Sequence, residues 1–250
     1  MNPKTIDRII QSYFKIMYLY SFLPIIGKRF KESRKQRYYT REYTRFARQQ
    51  RKMIYMSCAR FMNINRIPNG VYLEFGSHEG NTMRMAWDAF GELFDLEYYA
   101  FESFKGLPEI DEDSIDKTEL FYTGNLATSV SRFKRKVKNI GIPNDKLKII
   151  EGYYEESLDD RIQNELMNKY PNVILIDCDL YSSTKTVLNF LKRVLRMGTI
   201  VIFDDWNCYF GRDDRGERRA FIEFCNENKN IKFNDFVSTG EAKSFICVGV

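Results

Sequence analysis

Short, almost uninterrupted apolar runs recur from residue 71 onward: Val71–Phe75, Tyr98–Phe101, Leu147–Ile150, Val173–Ile176, Ile200–Phe203 and Phe245–Val248. Strands covered on both faces read this way, because neither face meets water. The longer amphipathic stretches between them suit crossover helices, so the pattern predicts an α/β fold with a mostly parallel sheet and helices on both faces. Ahead of the turn signal Pro68-Asn69-Gly70 the period becomes helical. Ile6, Ile9, Ile10, Tyr13, Phe14 and Met17 mark one helix, and a second runs from about Thr40 to Asn63. The expected division is a helical extension over residues 1–67 and an α/β domain over 68–250. The acidic stretch Glu109 to Thr118 is poor in apolar residues and reads as a loop over one edge of the site.

With 250 residues, 44% of them apolar, the chain has enough material for one large core. Its net charge of +5 hides an asymmetry, since residues 1–70 carry +13 and the remainder −8. The basic part is also aromatic, as in Arg37-Tyr38-Tyr39-Thr40-Arg41-Glu42-Tyr43-Thr44-Arg45-Phe46, a composition suited to phosphates or an anionic surface, or to a plain solvated helix face. Five scattered cysteines with no C-x-x-C pair indicate neither a disulfide framework nor a zinc site, which favours a reducing compartment. The stretch Ile16 to Ile26 is too short to span a bilayer and lacks a small-residue cleavage site, so a cytoplasmic location without a transmembrane segment is expected.

Ligands of open α/β sheets bind beyond the carboxyl ends of the strands, and here those ends are acidic: Glu74, Glu102, Glu151, Asp177 with Asp179, and Asp204 with Asp205. The first run passes into Glu74-Phe75-Gly76-Ser77-His78-Glu79-Gly80, a nucleotide cradle. Gly76 permits a sharp turn and Gly80 opens a helix at Asn81-Thr82. His78 replaces the middle glycine of the dinucleotide fingerprint and would crowd a pyrophosphate, so S-adenosylmethionine is the expected ligand. Glu102, at the end of the second strand, is placed to accept hydrogen bonds from both ribose hydroxyls, and Ser103 begins a tight turn beside it. The cofactor set is therefore Glu74, Gly76, Ser77, His78, Gly80, Thr82, Glu102 and Ser103, with Asp177.

Asp177 and Asp179 alternate as one strand ends, and Asp204-Asp205 ends the next. Three of these carboxylates could surround one hard cation such as Mg2+; the competing reading makes them helix caps and salt-bridge partners. A metal would acidify a hydroxyl while a carboxylate removes its proton, the oxygen then displacing a methyl group. Asp177 is the candidate for ligand and base, with Asp179 as the reserve base or substrate anchor. Tyr181 and Trp206 are candidate substrate walls or core residues, and Arg218 a candidate phosphate grip. His78 is the single histidine, with no nucleophile evident beside it, which argues against nucleophilic catalysis.

Residues 68–250 resemble the TylF/MycF family of bacterial sugar O-methyltransferases. The resemblance rests on Glu74-Phe-Gly76-Ser-His-Glu-Gly80, Phe101-Glu102-Ser103-Phe104-Lys105-Gly106-Leu107-Pro108, Gly152-Tyr153-Tyr154 with Ser157-Leu158, Asp177-Cys-Asp179-Leu180-Tyr181-Ser-Ser183-Thr184, and Asp204-Asp205. It implies a Rossmann-like class I methyltransferase fold with a mostly parallel seven-stranded sheet. It also implies Mg2+ held by Asp177, Asp204 and Asp205, with Asp177 as the base. Two departures stand out: Glu102 where the family usually has Asp, and Gly-Tyr-Tyr where it has Gly-Trp-Phe.

The expected acceptor is a nucleotide-linked sugar, its phosphates met by Arg41 and Arg45, and the Lys-, Asn- and Ile-rich composition favours a surface polysaccharide as its destination. An antibiotic sugar or a phenol is the alternative. A nucleic-acid partner is not expected, because the basic segment lies outside the acidic constellation and carries no RNA-binding motif. A homo-oligomer is expected.

Overall fold

A computed structural model describes residues 24–111, 113–119 and 121–250, with side chains from residue 33 onward. The helix predicted on Ile6 to Met17 lies outside the described residues, as does most of the stretch Ile16 to Ile26. None of the described helices is long and apolar enough to cross a membrane.

The elements follow the apolar runs. Helix α1 (Pro24–Ile64) leads to β1 (Val71–Phe75), α2 (Asn81–Phe90), β2 (Glu97–Glu102), α3 (Val130–Ile140) and β3 (Leu147–Glu151). Then come the short α4 (Tyr154–Ser157), α5 (Asp160–Met167), β4 (Pro171–Ile176), α6 (Tyr181–Leu191), β5 (Ile200–Phe203), α7 (Gly216–Glu227), β6 (Lys232–Ser238) and β7 (Lys243–Gly249). The seven strands form one sheet in the order β3-β2-β1-β4-β5-β7-β6. Pairings among β1 to β5 are parallel, whereas β7 runs antiparallel to both β5 and β6. Strand β6 escapes the apolar pattern because it is an edge strand with several exposed positions.

Strand alternation divides the core between the two faces of the sheet. Val71, Leu73 and Phe75 pack with Ile162, Leu166, Val187, Leu191 and Phe221 of α5, α6 and α7. Tyr72 faces the other way, with Met83, Phe90, Phe133 and Val137 of α2 and α3. The last turns of α1 join this second layer through Ile54, Tyr55, Cys58, Ala59 and Met62, a stripe at helical spacing that is almost wholly buried. Packing divides the chain within α1: one compact unit ends at Gln49, the other begins at Gln50. In the first unit Tyr38, Tyr39, Tyr43 and Phe46 are exposed, and Thr40 and Thr44 donate to carbonyls one turn back. The five cysteines are unpaired.

Candidate active site

The strand order reverses direction between β1 and β4, and the turns leaving β1, β2, β4 and β5 meet there. They line a cavity of about 260 Å³ together with Gly152 to Glu155 after β3. Residues 103–129, which link β2 to α3, cover it through Gly106, Leu107, Pro108 and Leu126.

The β1 turn is built on close approach. Gly76 has φ +89°, and a Cβ there would lie 1.9 Å from the Asp177 carbonyl oxygen, so only glycine lets this turn pass the β4 turn. Glu102 joins the first two turns: its carboxylate accepts from the His78 amide at 2.7 Å and the Phe104 amide at 2.9 Å. His78 and Leu126, both at positive φ, meet through the ring Nδ1 and the Leu126 carbonyl, 2.7 Å apart, so the histidine fastens the cover to the turn. The cover is also fastened at Asp116, a buried carboxylate that accepts from the Tyr181 and Ser182 amides at the start of α6, at 2.7 and 3.1 Å.

Of the residues expected to hold a cofactor, Gly76, His78, Glu102, Ser103 and Asp177 line the cavity. Glu74, Ser77, Gly80 and Thr82 do not. Glu74 points into the layer under α2, accepting from Tyr72 and Thr82 hydroxyls at 2.6 and 3.0 Å, because strand alternation turns it to that face. Burial pushes its carboxyl up to about 7. Gly80 faces α3: a Cβ would meet Phe133 and Val137 at 3.2 and 3.3 Å, so this glycine serves helix packing and not ligand approach.

The four strand-end aspartates divide unequally. Asp177, Asp179 and Asp205 each present an oxygen within 4.8 Å of the others. Asp204 instead accepts from Arg51 Nη2 at 2.5 Å, and the same nitrogen reaches Glu241 at 3.1 Å. Asp179 does not reach the cluster by continued strand alternation, since β4 ends at Ile176 and Asp179 sits in the left-handed region at φ +62°. Burial, then Asp205, pushes its carboxyl up to about 9. Burial, then Asp204 and Asp205, drives Asp177 well above the usual carboxylate range. Asp204 rises to about 7 through burial, against the pull of Arg51.

A hard divalent cation fits this donor set. The donors are all carboxylate oxygens, they are mutually repelling, and Asp205 Oδ2 is buried with no hydrogen-bond partner. Sequence reasoning missed Arg51, Asp116 and Glu217, whose roles depend on partners far away in the chain.

The candidate substrate residues are not among those lining this cavity. Trp206 is 7% exposed and packs on Phe203, Phe221 and Phe245 as core, with Arg218 and Lys243 over its ring. Tyr181 lies between α6 and α7, donating to Glu223 at 2.6 Å under the Arg219 guanidinium. Arg218 pairs with Asp213 at 2.6 Å and does not line the cavity. Arg41 and Arg45 are exposed residues of the amino-terminal unit.

A central β1/β4 crevice, a single antiparallel strand β7 next to the edge and acidic strand ends define a class I methyltransferase fold. The O-methyltransferase NovP shares it, with a TM-score of 0.65 and 21% identity over 80% of each chain. The chain belongs to the macrocin O-methyltransferase (TylF) family, whose profile matches residues 24–232. It is 28% identical over 131 residues to the 8-demethyl-8-(2,3-dimethoxy-alpha-L-rhamnosyl)-tetracenomycin-C 4'-O-methyltransferase of Streptomyces olivaceus, covering 51% of this chain and 44% of that protein. It is 27% identical over 141 residues to the demethyldecarbamoylnovobiocin O-methyltransferase of Streptomyces niveus, covering 54% and 52%. The chain thus spans about half the length of the curated relatives it matches.

Proposed function

We propose that this protein is an S-adenosylmethionine-dependent O-methyltransferase acting on a sugar hydroxyl, with a divalent cation, Mg2+ by preference, at the acidic cluster. The observation that carries the reading is the convergence of Asp177, Asp179 and Asp205 in the same cavity as Glu102. Family membership and the tetracenomycin relative, whose name specifies a rhamnosyl group, support the acceptor class.

Glu102 would bind the ribose hydroxyls, and the Gly76 turn would let the methionine part lie against backbone. S-adenosylmethionine supplies the electrophilic methyl group. A bound cation would be held by Asp177 and Asp205 with Asp179 or Asp204 as the third ligand, and would acidify the acceptor hydroxyl. Asp177 would take the proton of that hydroxyl as its oxygen is methylated. Leu107, Pro108 and Leu126 line the same cavity and would keep water from the reacting atoms. We further propose a nucleotide-linked sugar as acceptor, destined for a surface polysaccharide. The basic charge of the amino-terminal part supports this form.

The test is turnover of labelled S-adenosylmethionine on a panel of nucleotide sugars and free glycosides, with and without chelator. Activity should vanish in chelator and return with Mg2+. Asp177→Asn should lose turnover, and Glu102→Ala should lose at least tenfold in affinity for S-adenosylhomocysteine. Unchanged turnover in chelator removes the metal from the reading, and unchanged binding by Glu102→Ala removes the ribose contact.

A further inference from the structure

Parallel strands β4 and β5 lose their ladder at the cavity. The last bonds are Asp177 amide to the Phe75 carbonyl of β1 at 2.9 Å, and Asp204 amide to the Ile176 carbonyl of β4 at 3.0 Å. The next amides along each turn, those of Cys178 and Asp205, point to one acceptor. Glu217, fully buried, accepts from Cys178 N through Oε1 at 3.2 Å and from Asp205 N through Oε2 at 3.0 Å. One carboxylate thus spans the two turns that carry the acidic cluster. It does not itself line the cavity.

The surroundings hold Glu217 in place. It is the second residue of α7, which begins at Gly216. Gly216 has φ +53°, and a Cβ there would lie 2.6 Å from the Tyr209 ring, so glycine lets the helix start press against that tyrosine. Tyr209 in turn donates its hydroxyl to the Asp179 carbonyl at 3.0 Å. Two independent ties therefore run from the start of α7 to the β4 turn, and one to the β5 turn. A fully buried carboxyl beside Asp177, Asp179, Asp204 and Asp205 is costly as packing material, and its two backbone donors are what it satisfies.

We propose that Glu217 is a positioning residue that sets the separation between the Asp177–Asp179 turn and the Asp205 turn, and so the geometry of the cation site. The inference rests on the functional reading above and deepens it: Glu217 acts on the cation through backbone, without touching it. Glutamine at 217 would accept from one amide and set its own N–H2 group against the other, so the turns would part while the side-chain volume is kept.

The experiment uses the full chain and three readouts: Mn2+ binding by electron paramagnetic resonance, S-adenosylhomocysteine binding by calorimetry, and thermal unfolding. Glu217→Gln should fold, bind Mn2+ at least tenfold more weakly with an altered Mn2+ line shape, and keep its S-adenosylhomocysteine affinity within twofold. Wild-type Mn2+ affinity and line shape in the folded variant would overturn the proposal. So would a parallel loss of both ligands, which is the mark of a general structural role. Should Glu217→Gln fail to fold, hydrogen exchange in the wild-type chain decides: the Cys178 and Asp205 amides should both be protected, and loop-like exchange at either overturns the clamp. A wild-type chain that binds neither Mn2+ nor S-adenosylhomocysteine would instead overturn the functional reading itself.

Discussion

Arg51, in the carboxyl-terminal half of α1, donates to Asp204 just past the end of β5 across 2.5 Å, although 153 residues separate them in the chain. This pair supplies a positive charge at the rim of the acidic cluster, and it occupies the aspartate that the family resemblance assigns to the metal. Arg51→Ala would leave a buried carboxylate without its cation. The expected loss is about 2–3 kcal/mol, less than for a fully buried pair because Arg51 is 30% exposed. Since Asp204 becomes free, added Mg2+ should raise the melting temperature of the variant more than that of the wild type, as ligand linkage requires. Thermal melts with and without Mg2+ check both parts; an equal Mg2+ effect on the two chains would show that Arg51 does not compete for Asp204.

The two cradle glycines should differ sharply. At Gly76 a methyl group meets the Asp177 carbonyl at 1.9 Å, backbone against backbone, at φ +89°. Gly76→Ala should either prevent folding or displace Asp177, costing about 3 kcal/mol or more. At Gly80 the neighbours are side chains at 3.2 and 3.3 Å, which can shift. Gly80→Ala should cost about 1 kcal/mol, mostly from the positive φ, and leave S-adenosylmethionine affinity unchanged. Urea denaturation and calorimetry on both variants test the contrast.

Glu74 makes stability depend on pH. Burial raises its carboxyl from 4.5 to about 7, so the folded chain keeps a proton that the unfolded chain has released. Stability from this group is fully present below about pH 4.5, falls as pH rises toward 7, and is flat above; the total change is roughly 3 kcal/mol. In Glu74→Gln this dependence should disappear. The amide can be accommodated because the Tyr72 hydroxyl, which donates to Glu74, can turn to donate to Tyr55 at 3.1 Å. Urea midpoints between pH 4.5 and 8 for the two chains provide the comparison, and parallel profiles would assign the dependence to other groups.

Asp116 caps α6 from 65 residues upstream, and α6 has no side-chain cap of its own. Asp116→Ala should cost about 1–2 kcal/mol, as loss of a helix cap does. It should also release the cover at residues 103–129. Hydrogen exchange at Tyr181 and Ser182 should quicken, and proteolysis should concentrate between residues 109 and 128. An unchanged cleavage pattern would mean that His78 and the backbone bonds of Leu107 with Gly124 and Asn125 hold the cover without Asp116.

The parallel strands, the crossover helices and the acidic strand ends were legible in the sequence, because strands buried on both faces must be apolar throughout and a polar residue at their tips has to face a ligand or a partner. The loop at Glu109 to Thr118 was legible for the opposite reason, its lack of apolar material. Only the tertiary structure decided which carboxylates share a site. Asp177, Asp179, Asp204 and Asp205 look equivalent along the chain, yet Arg51 takes Asp204, a left-handed residue returns Asp179 to the cluster, and Glu217 ties the two turns. Trp206 and Tyr181 became packing residues for the same reason. Strand periodicity and composition act over a few residues, whereas the partner of a buried charge is set by whichever distant segment folds against it.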